Sequence, residues 1–269
     1  LLDSANNLVT ENDDYNYPES NDALIQAFLI PRTDTYTIEV SAFGDTSGTY
    51  ELSILPGYDQ LVADDNLDRG SNWIPITGNT IDLTLTDAGL HTEVEGIAQS
   101  GTLIANDFPQ AQDFYFEASV ANINATTNWH VGIIFRYINP ELYYRLVLND
   151  QGFWQLELIR GEEVETIQSW STHPAIVPGE TNFTLGVLAS GESIDVVYNR
   201  QLIATVYDNQ IPQEGGIGFV VITANALSSR VSADLQHVRM TVPAQLEQPF
   251  VFPEILVANN YTALAHTLE

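Results

Sequence analysis

Cysteine is absent from this 269-residue sequence, and lysine is absent as well. Without cysteine the chain has no disulfides, no thiolate metal ligands and no cysteine nucleophile. There is also no uninterrupted apolar run of the ~18 residues that a transmembrane helix requires. Leu1–Ser4 carry no basic residue of the kind that opens a signal peptide, so none is predicted. These absences are compatible with an extracellular prokaryotic protein.

Basic residues are scarce: 8 arginines face 36 aspartates and glutamates, which gives a formal net charge of −28. The long-range field of such a chain repels phosphate groups, which argues against binding nucleic acid or an anionic membrane. The same field favours divalent cations. Because only 16% of the residues are charged, many surface positions must be neutral and polar.

The most informative stretch runs from Trp129 to Leu158 and predicts three strands in succession: Val131–Tyr137, Tyr143–Leu148 and Phe153–Leu158. Aromatic and β-branched residues in short runs, separated by Asn, Asp, Gly and Pro, are typical of antiparallel strands. Such a meander must bury one face, so the flanking sequence is expected to supply a second sheet.

Residues 1–55 predict a small β module. Short strand pieces at Leu1–Leu2 and Leu8–Thr10 surround an Asn6-Asn7 turn, and Thr35–Ala42 is expected to form a hairpin with Thr49–Leu55. The series LLDSANNLVTENDD, followed by TYTIEVSAFGDTSGTYELSI, resembles the second half of a bacterial pre-peptidase C-terminal domain. That resemblance implies a small β-sandwich appended to exported proteins, here without its opening strands.

Residues 69–242 predict many evenly spaced strands and almost no helix, with Asn199-Arg200 as a two-residue hairpin turn. The pieces GIIFRYINPELYYRLVLNDQGFWQLEL, SIDVVYNRQLIATVYD, GGIGFVV and SADLQHVRMTV resemble a concanavalin-like (laminin-G-like) jelly roll. The resemblance spans roughly residues 62–242. It implies the fold, together with sugar binding, adhesion or occasionally glycoside hydrolysis.

The predicted architecture is therefore all-β, with two β-sandwich modules and a proline-containing tail. Its parts are a partial sandwich over 1–57, a linker over 58–68, a jelly roll over 69–242 and a tail over 243–269. The tail is expected to hold a strand within Phe250–Ala258 and a short helix after an Asn259-Asn260 cap.

Two acidic groups are candidate calcium sites, since calcium prefers six to eight hard oxygen ligands. The first comprises Glu11, Asp13, Asp14 and Asp22, and its alternative is a solvated acidic loop. The second joins Asp64 and Asp65 to Asp234, because the strands that open and close the resembled jelly roll tend to lie side by side. The alternative there is solvated terminal carboxylates.

A carbohydrate-binding surface is predicted from strand alternation. If Ile133 and Phe135 are buried, Arg136 points to the other face, where Tyr143, Arg145 and Gln155 are also expected. Most of the other aromatic residues nearby, including Trp129, Trp154 and Trp170, are expected in the core rather than on a ligand platform.

Catalysis has little support in the sequence. Endoglucanases that share the resembled fold carry E-x-D-x-x-E on one strand, whereas Glu192 and Asp195 are spaced one residue too far and the second glutamate is missing. Neither G-x-S-x-G nor H-E-x-x-H occurs. We therefore expect no enzyme.

We expect a structural and adhesive protein that is stabilised by calcium. Its expected location is secreted or at the surface of a prokaryotic cell. An open edge in residues 1–55 invites a strand from another chain, and the tail of a neighbour would extend this pairing head-to-tail into filaments. A fragment of a longer protein explains the missing strands equally well. The alternative function is a carbohydrate-binding accessory module of a secreted hydrolase, with a polysaccharide as its partner.

Overall fold

The computed structural model describes residues 1–13, 23, 25, 30, 35–41, 48–50, 52–54, 57–58, 60–67, 72–76, 81–86, 89–243, 250–251, 255–257 and 262–267. Every regular element in this part of the chain is a β-strand, which confirms the all-β prediction. Accordingly, the described residues include no helix long and apolar enough to span a membrane. The chain divides into two compact units, one formed by Leu1–Gly57 with Ala244–Glu269 and the other by Tyr58–Pro243.

The first unit contains three pairs of strands. They are β1 (Thr35–Val40) with β21 (Thr262–Thr267), β2 (Gly48–Tyr50) with β20 (Ile255–Val257), and β3 (Ser53–Ile54) with β19 (Phe250–Val251). All three pairs are antiparallel. Near the start of the chain, Asn6 has a φ of 63° and Leu2 bridges Leu8, so the predicted Asn6-Asn7 turn is confirmed.

The first unit corrects three predictions about the ends of the chain. Among the described residues, β1 pairs with β21 rather than with Thr49–Leu55. The helix expected after Asn260 is instead strand β21, because a short apolar run such as Ala263-Leu264-Ala265 suits a strand as well as a helix. The tail is thus no separate element, since it supplies a partner to each strand of the first unit.

The second unit is a sandwich of two antiparallel sheets. Its strands are β4 (Gln60–Asp65), β5 (Trp73–Pro75), β6 (Asp82–Thr86), β7 (Gly89–Glu95), β8 (Ser100–Ala105), β9 (Phe114–Ala125), β10 (Trp129–Asn139), β11 (Leu142–Asn149), β12 (Phe153–Arg160), β13 (Glu163–Thr172), β14 (Phe183–Ser190), β15 (Ser193–Tyr198), β16 (Gln201–Tyr207), β17 (Gly216–Thr223) and β18 (Arg230–Val242). The seven-stranded sheet has the order β13-β12-β11-β10-β17-β8-β5, and the eight-stranded sheet the order β16-β15-β14-β9-β18-β7-β6, with β4 also paired to β18.

Two details follow directly from local sequence. Asn199 and Arg200 both have positive φ, at 48° and 64°, as the predicted hairpin turn between β15 and β16 requires. The stretch 58–68, predicted as a linker, instead contributes strand β4, which pairs with β18 and belongs to the second unit. Leu61-Val62-Ala63 is an apolar run typical of a strand. The acidic Asp64-Asp65 beside it made the composition of the whole stretch resemble that of a linker.

The main core lies between the two sheets. On β10, the side chains of Val131, Ile133 and Phe135 belong to this core and are fully buried, as the alternation predicted. Phe135 stacks on Tyr144 of β11, with ring centroids 5.3 Å apart. Full burial of each such side chain contributes roughly 1.5–3 kcal/mol to folding.

The seven-stranded sheet also has a face turned away from the main core, which we call the outer face. A second apolar cluster lies there, formed by Ile76, Ile104, Ile134, Tyr143, Val147, Ile159 and Val220. Since successive residues of a strand point to opposite faces, Ile134 lies on the outer face while Ile133 points into the main core. The outer face is where the candidate site is found.

Candidate functional site

Trp170 reaches over the outer face from the edge strand β13. The pairing of β12 with β13 shifts register twice, and at the first shift Ser169 and Trp170 lie opposite the single residue Gln155. A bulge of this kind re-aims side chains. The ring of Trp170 lies 5.0 Å from the ring of His130 on β10, although β12 and β11 separate the two strands. Trp170 therefore leans inward across the sheet.

Trp170 and His130 form the accessible end of the outer face. Trp170 keeps 38% of its surface exposed, whereas Trp129 and Trp154 are buried in the main core as expected. Burial is the main cause that lowers the pKa of His130, against the opposing effects of the Glu157 and Asp150 carboxylates. The His130 ring is consequently neutral at pH 7, and the pair offers an apolar aromatic surface edged by a polar nitrogen.

Three of the four predicted carbohydrate-binding residues do share the outer face. Tyr143 and Arg145 lie on β11 and Gln155 lies on β12, where Val147 pairs with Gln155 and Arg145 pairs with Glu157. Arg145 donates a hydrogen bond from Nε to Oε2 of Glu157, and both side chains are largely buried. Burial chiefly raises the pKa of Tyr143, which keeps its hydroxyl protonated and able to donate a hydrogen bond.

The fourth predicted residue, Arg136, does not lie on the outer face, and this prediction was wrong. Its φ is 46°, and the pairing of β10 with both neighbours shifts register there. The inserted residue reverses the alternation, so Arg136 is fully buried on the other side and donates hydrogen bonds to the main-chain oxygens of Gln112 (3.2 Å) and Gly191 (2.7 Å). Tyr137 takes its place against Tyr143, with ring centroids 5.8 Å apart.

The first predicted calcium site falls partly outside the described residues. Glu11 and Asp13 are exposed and lie in the irregular segment after Leu8–Thr10, while Asp14 and Asp22 are not among the described residues. No three His, Asp or Glu side chains of the described residues lie close enough together to hold a metal ion. Calcium binding at this cluster stays a prediction.

The second predicted calcium site does not assemble as expected. The strands β4 and β18 are neighbours, as predicted, with Asp64 opposite Arg239 and Asp65 opposite Val238. Asp234, however, lies four residues further along β18, about 14 Å away at the rise of a strand. The three carboxylates are therefore not placed around one ion.

Each of these carboxylates has protein partners of its own. Asp234 accepts a hydrogen bond from Asn122 at 2.7 Å and contacts Nδ1 of His91 at 2.6 Å. Asp64 contacts Nε2 of His237 at 2.7 Å, and Asp65 accepts a hydrogen bond from the main-chain nitrogen of Leu67. These contacts explain the acidic residues without a metal ion.

Acidic side chains are scarce on the outer face of the seven-stranded sheet. Glu157 is the one acidic residue in the described strands β5, β8, β10, β11, β12 and β17, and it is paired with Arg145. Asp195 lies on β15 of the other sheet, where it accepts a hydrogen bond from Thr205 at 2.6 Å and burial raises its pKa. Glycosidases generally use two carboxyl groups on either side of one sugar linkage. Among the described residues, the outer face of this sheet supplies one. Glu163 and Glu165 of the edge strand β13 lie opposite Arg160 and Leu158, and Leu158 points into the main core.

Solved structures share the fold of the second unit. A protein of unknown function from Bacillus subtilis with a galectin-like fold aligns at a TM-score of 0.51 and 12% identity, over 72% of this chain and 100% of that one. An endo-β-galactosidase from Clostridium perfringens that releases GlcNAcα1-4Gal aligns at 0.52 and 12% identity, over 71% of this chain and 64% of that one. The fold is a galectin-like, concanavalin-like jelly roll.

Other comparisons add little beyond the fold. A carbohydrate-binding module of Bacillus subtilis aligns at a TM-score of 0.48 and 12% identity, over 62% of this chain and 95% of that one. No protein-family model matches the sequence, and no curated protein matches it. The resemblance of residues 1–55 to the pre-peptidase C-terminal domain thus stays a prediction. At such low sequence identity, these structural similarities are evidence for a shared fold alone.

Proposed function

We propose that the unit Tyr58–Pro243 binds an uncharged glycan on the outer face of its seven-stranded sheet and does not cleave it. The observation that carries this proposal is the position of Trp170, held over His130 and opposite Gln155 while more than a third of its surface is exposed. Single exposed apolar side chains are common on protein surfaces, so the support comes from the register shift that aims Trp170 over His130 rather than from its exposure alone.

The chemistry of this end of the face suits a sugar. The apolar side of a sugar ring packs against an indole, and its hydroxyls require hydrogen-bonding groups beside the ring. Gln155 supplies an amide with two donors and an acceptor, and its Nε2 already lies 3.4 Å from the hydroxyl of Thr166 on β13. The Arg145–Glu157 pair adds both a donor and an acceptor.

The charge of the face selects an uncharged ligand. Arg145 is neutralised by Glu157, and His130 is neutral at pH 7 because its pKa is lowered by burial. No unpaired cation therefore remains on the described strands of this face to hold a carboxylate or sulfate group. The net charge of −28 repels anionic polymers in addition.

Binding without cleavage follows from the single carboxylate. Retaining glycosidases place two carboxyl groups about 5–5.5 Å apart, and inverting ones about 6.5–9.5 Å apart. Glu157 has no acidic partner on its own or the neighbouring central strands among the described residues, and it is paired with Arg145. The pair of carboxyl groups that hydrolysis uses is therefore lacking on the described part of this face.

The experiment compares Trp170→Ala with Tyr207→Ala on a panel of neutral and anionic polysaccharides, with reducing ends measured in parallel. Tyr207 is the matched control, being an aromatic residue of β16 that is 71% exposed on the other sheet. We expect wild type and Tyr207→Ala to bind the same neutral glycan, and Trp170→Ala to bind it at least about tenfold more weakly. Equal binding by Trp170→Ala, binding to anionic glycans alone, or release of reducing ends would contradict the proposal.

A second candidate function is self-assembly by strand exchange, favoured by the pairing of the tail. β1 and β21 pair over six residues, with Thr35 opposite Thr267 at one end and Val40 opposite Thr262 at the other. The two strands are far apart in the sequence of one chain. The same pairs made between two chains would produce the head-to-tail assembly expected from the sequence, at a secreted or cell-surface location. Sedimentation of the full chain over a range of concentrations tests this: a monomer at every concentration rejects it.

A further inference from the structure

A second opening lies on the outer face, away from Trp170. It is a cavity of about 250 Å³ between the edge strand β5, the end of β8 and the bulged end of β10. Its apolar lining includes Ile74, Ile76, Ile104 and the ring of Tyr137, with Gly216 of β17 among the lining residues. The volume is below the roughly 300–1,000 Å³ of pockets that enclose a whole ligand, so it suits one end or one unit of a larger molecule.

The apolar cluster of the outer face connects the cavity to the strands that carry the candidate glycan site. Ile76 and Ile104 belong to the apolar cluster of the outer face, and Tyr137 packs against that cluster. Tyr137 also contacts Tyr143, which lies on the same face as Arg145. From His130 to Tyr137 along β10 the distance is about 20 Å at the rise of a strand. A ligand that reached both ends would lie along this strand.

The lining of the cavity has the same chemical character as the Trp170 end. Its polar groups include the amides of Asn106 and Gln110, two exposed side chains, and the phenol of Tyr137. Amides and phenols both donate and accept hydrogen bonds, as sugar hydroxyls require. None of the described residues that line the cavity carries a charged side chain. An uncharged molecule with apolar ring faces and many hydroxyls fits both ends equally.

We propose that the cavity beside Tyr137 is a second subsite for the glycan bound at Trp170, so that the ligand is an extended chain of several sugar units rather than a single terminal sugar. This inference rests on the proposed function and adds the length and direction of the ligand. The bulge at Arg136 is what creates the subsite, because it turns Tyr137 onto the outer face and leaves glycine opposite it on β17.

Gly216 offers a direct way to close the subsite. An ideal Cβ there would have no neighbour closer than 3.8 Å, the nearest atoms being those of Tyr137, so a methyl group fits without displacing the main chain. Gly216 also shares the outer face with Gly218 and Val220, as alternate residues of β17. Gly216→Leu therefore fills the cavity from below, and Gly216→Ala is the matched variant that fills it least.

The test is calorimetric titration of the full chain with neutral gluco-oligosaccharides, cello-, laminari- and malto-, from monosaccharide to hexasaccharide. We expect affinity of the wild type to rise with length in at least one series. In that series Gly216→Leu lowers affinity for the longest probe by about tenfold and leaves the shortest binding probe unchanged, while Gly216→Ala has a smaller effect. Ile74→Glu, at an exposed rim position, replaces Gly216→Leu should the latter fail to fold.

The outcomes separate this inference from the proposed function. Binding that depends on Trp170 but not on chain length, or that Gly216→Leu weakens equally for short and long probes, overturns the second subsite and leaves the proposed function standing. Failure of every neutral probe and polysaccharide to bind overturns both.

Discussion

Replacing Gly132 by alanine tests whether β10 and β11 approach each other as closely as the structure places them. An ideal Cβ at Gly132 would lie 2.1 Å from the main-chain oxygen of Leu146 and 2.9 Å from Cα of Val147. Both are main-chain atoms of the neighbouring strand, so no side-chain rotation relieves the clash. The alanine must push β11 away from β10, at the centre of the outer face.

The expected loss of stability follows from these contacts. Forcing an extra methyl group into a packed interior costs roughly 1–3 kcal/mol. Moving β11 also weakens the hydrogen bonds around the Gly132–Val147 pair, each contributing about 1 kcal/mol. We expect Gly132→Ala to lower the free energy of unfolding by about 3 kcal/mol.

The measurement is urea unfolding followed by tryptophan fluorescence. The chain has four tryptophans, Trp73, Trp129, Trp154 and Trp170, and all lie in the unit Tyr58–Pro243, so the signal reports that unit. Gly216→Ala is the matched control, since its Cβ makes only ordinary contacts, and we expect a change within about 1 kcal/mol. Equal stability of Gly132→Ala and wild type would contradict the close approach of β10 and β11 at Gly132.

Three further predictions concern stability. Arg136→Ala leaves the oxygens of Gln112 and Gly191 without its hydrogen bonds and opens a cavity, so thermal or urea unfolding should register a loss of roughly 2–4 kcal/mol. Because burial lowers the pKa of His130 below 6.5, the unfolded chain binds more protons between that lowered pKa and 6.5; the free energy of unfolding should fall as pH decreases through this window, and His130→Gln should flatten the fall. Deleting residues 244–269 removes the partners of β1, β2 and β3, so amide hydrogen exchange should accelerate in residues 35–54 while tryptophan-monitored unfolding stays as in the wild type; unchanged exchange there contradicts the pairing.

Sequence patterns predicted most of the jelly roll because its strands are short runs rich in aromatic and β-branched residues, separated by turn residues. The quoted piece SIDVVYNRQLIATVYD forms β15 and β16, and Asn199-Arg200 turns the chain as predicted. On β15 every second residue, Ile194, Val196 and Tyr198, is buried in the main core, so the period of two in the sequence matches the strand. The turn is equally local, since it depends only on residues that tolerate positive φ.

The candidate site was predicted less well from the sequence, because two β-bulges determine which side chains lie on the outer face. Alternation placed Arg136 on the outer face, but the bulge reverses the direction of Arg136 and Tyr137. A second bulge carries Trp170 inward over β12, whereas the sequence pattern assigned the aromatic residues mainly to the core. A bulge depends on how two strands pair, and arginine at positive φ gives no warning of it in the sequence.

Short strands rich in polar residues were also predicted poorly from the sequence. β7, with the sequence GLHTEVE, was not predicted, since its glutamates and histidine alternate with only two strongly apolar residues. β4 was assigned to a linker for its acidic end, and β21 to a helix because a run of six residues is too short to distinguish the two periods. The partners of β4 and β21, which are β18 and β1, lie far away in the sequence, whereas β7 pairs with the adjacent β6 as well as with the distant β18.

The most direct test of the account is nuclear magnetic resonance titration of the ¹⁵N-labelled protein with the neutral glycan that binds best in the panel. We predict that the indole signal of Trp170 and the amide signals of His130, Gln155 and Gly132 shift together and saturate at one concentration. Shifts confined to the eight-stranded sheet, or an unchanged Trp170 signal at saturation, would contradict binding on the outer face.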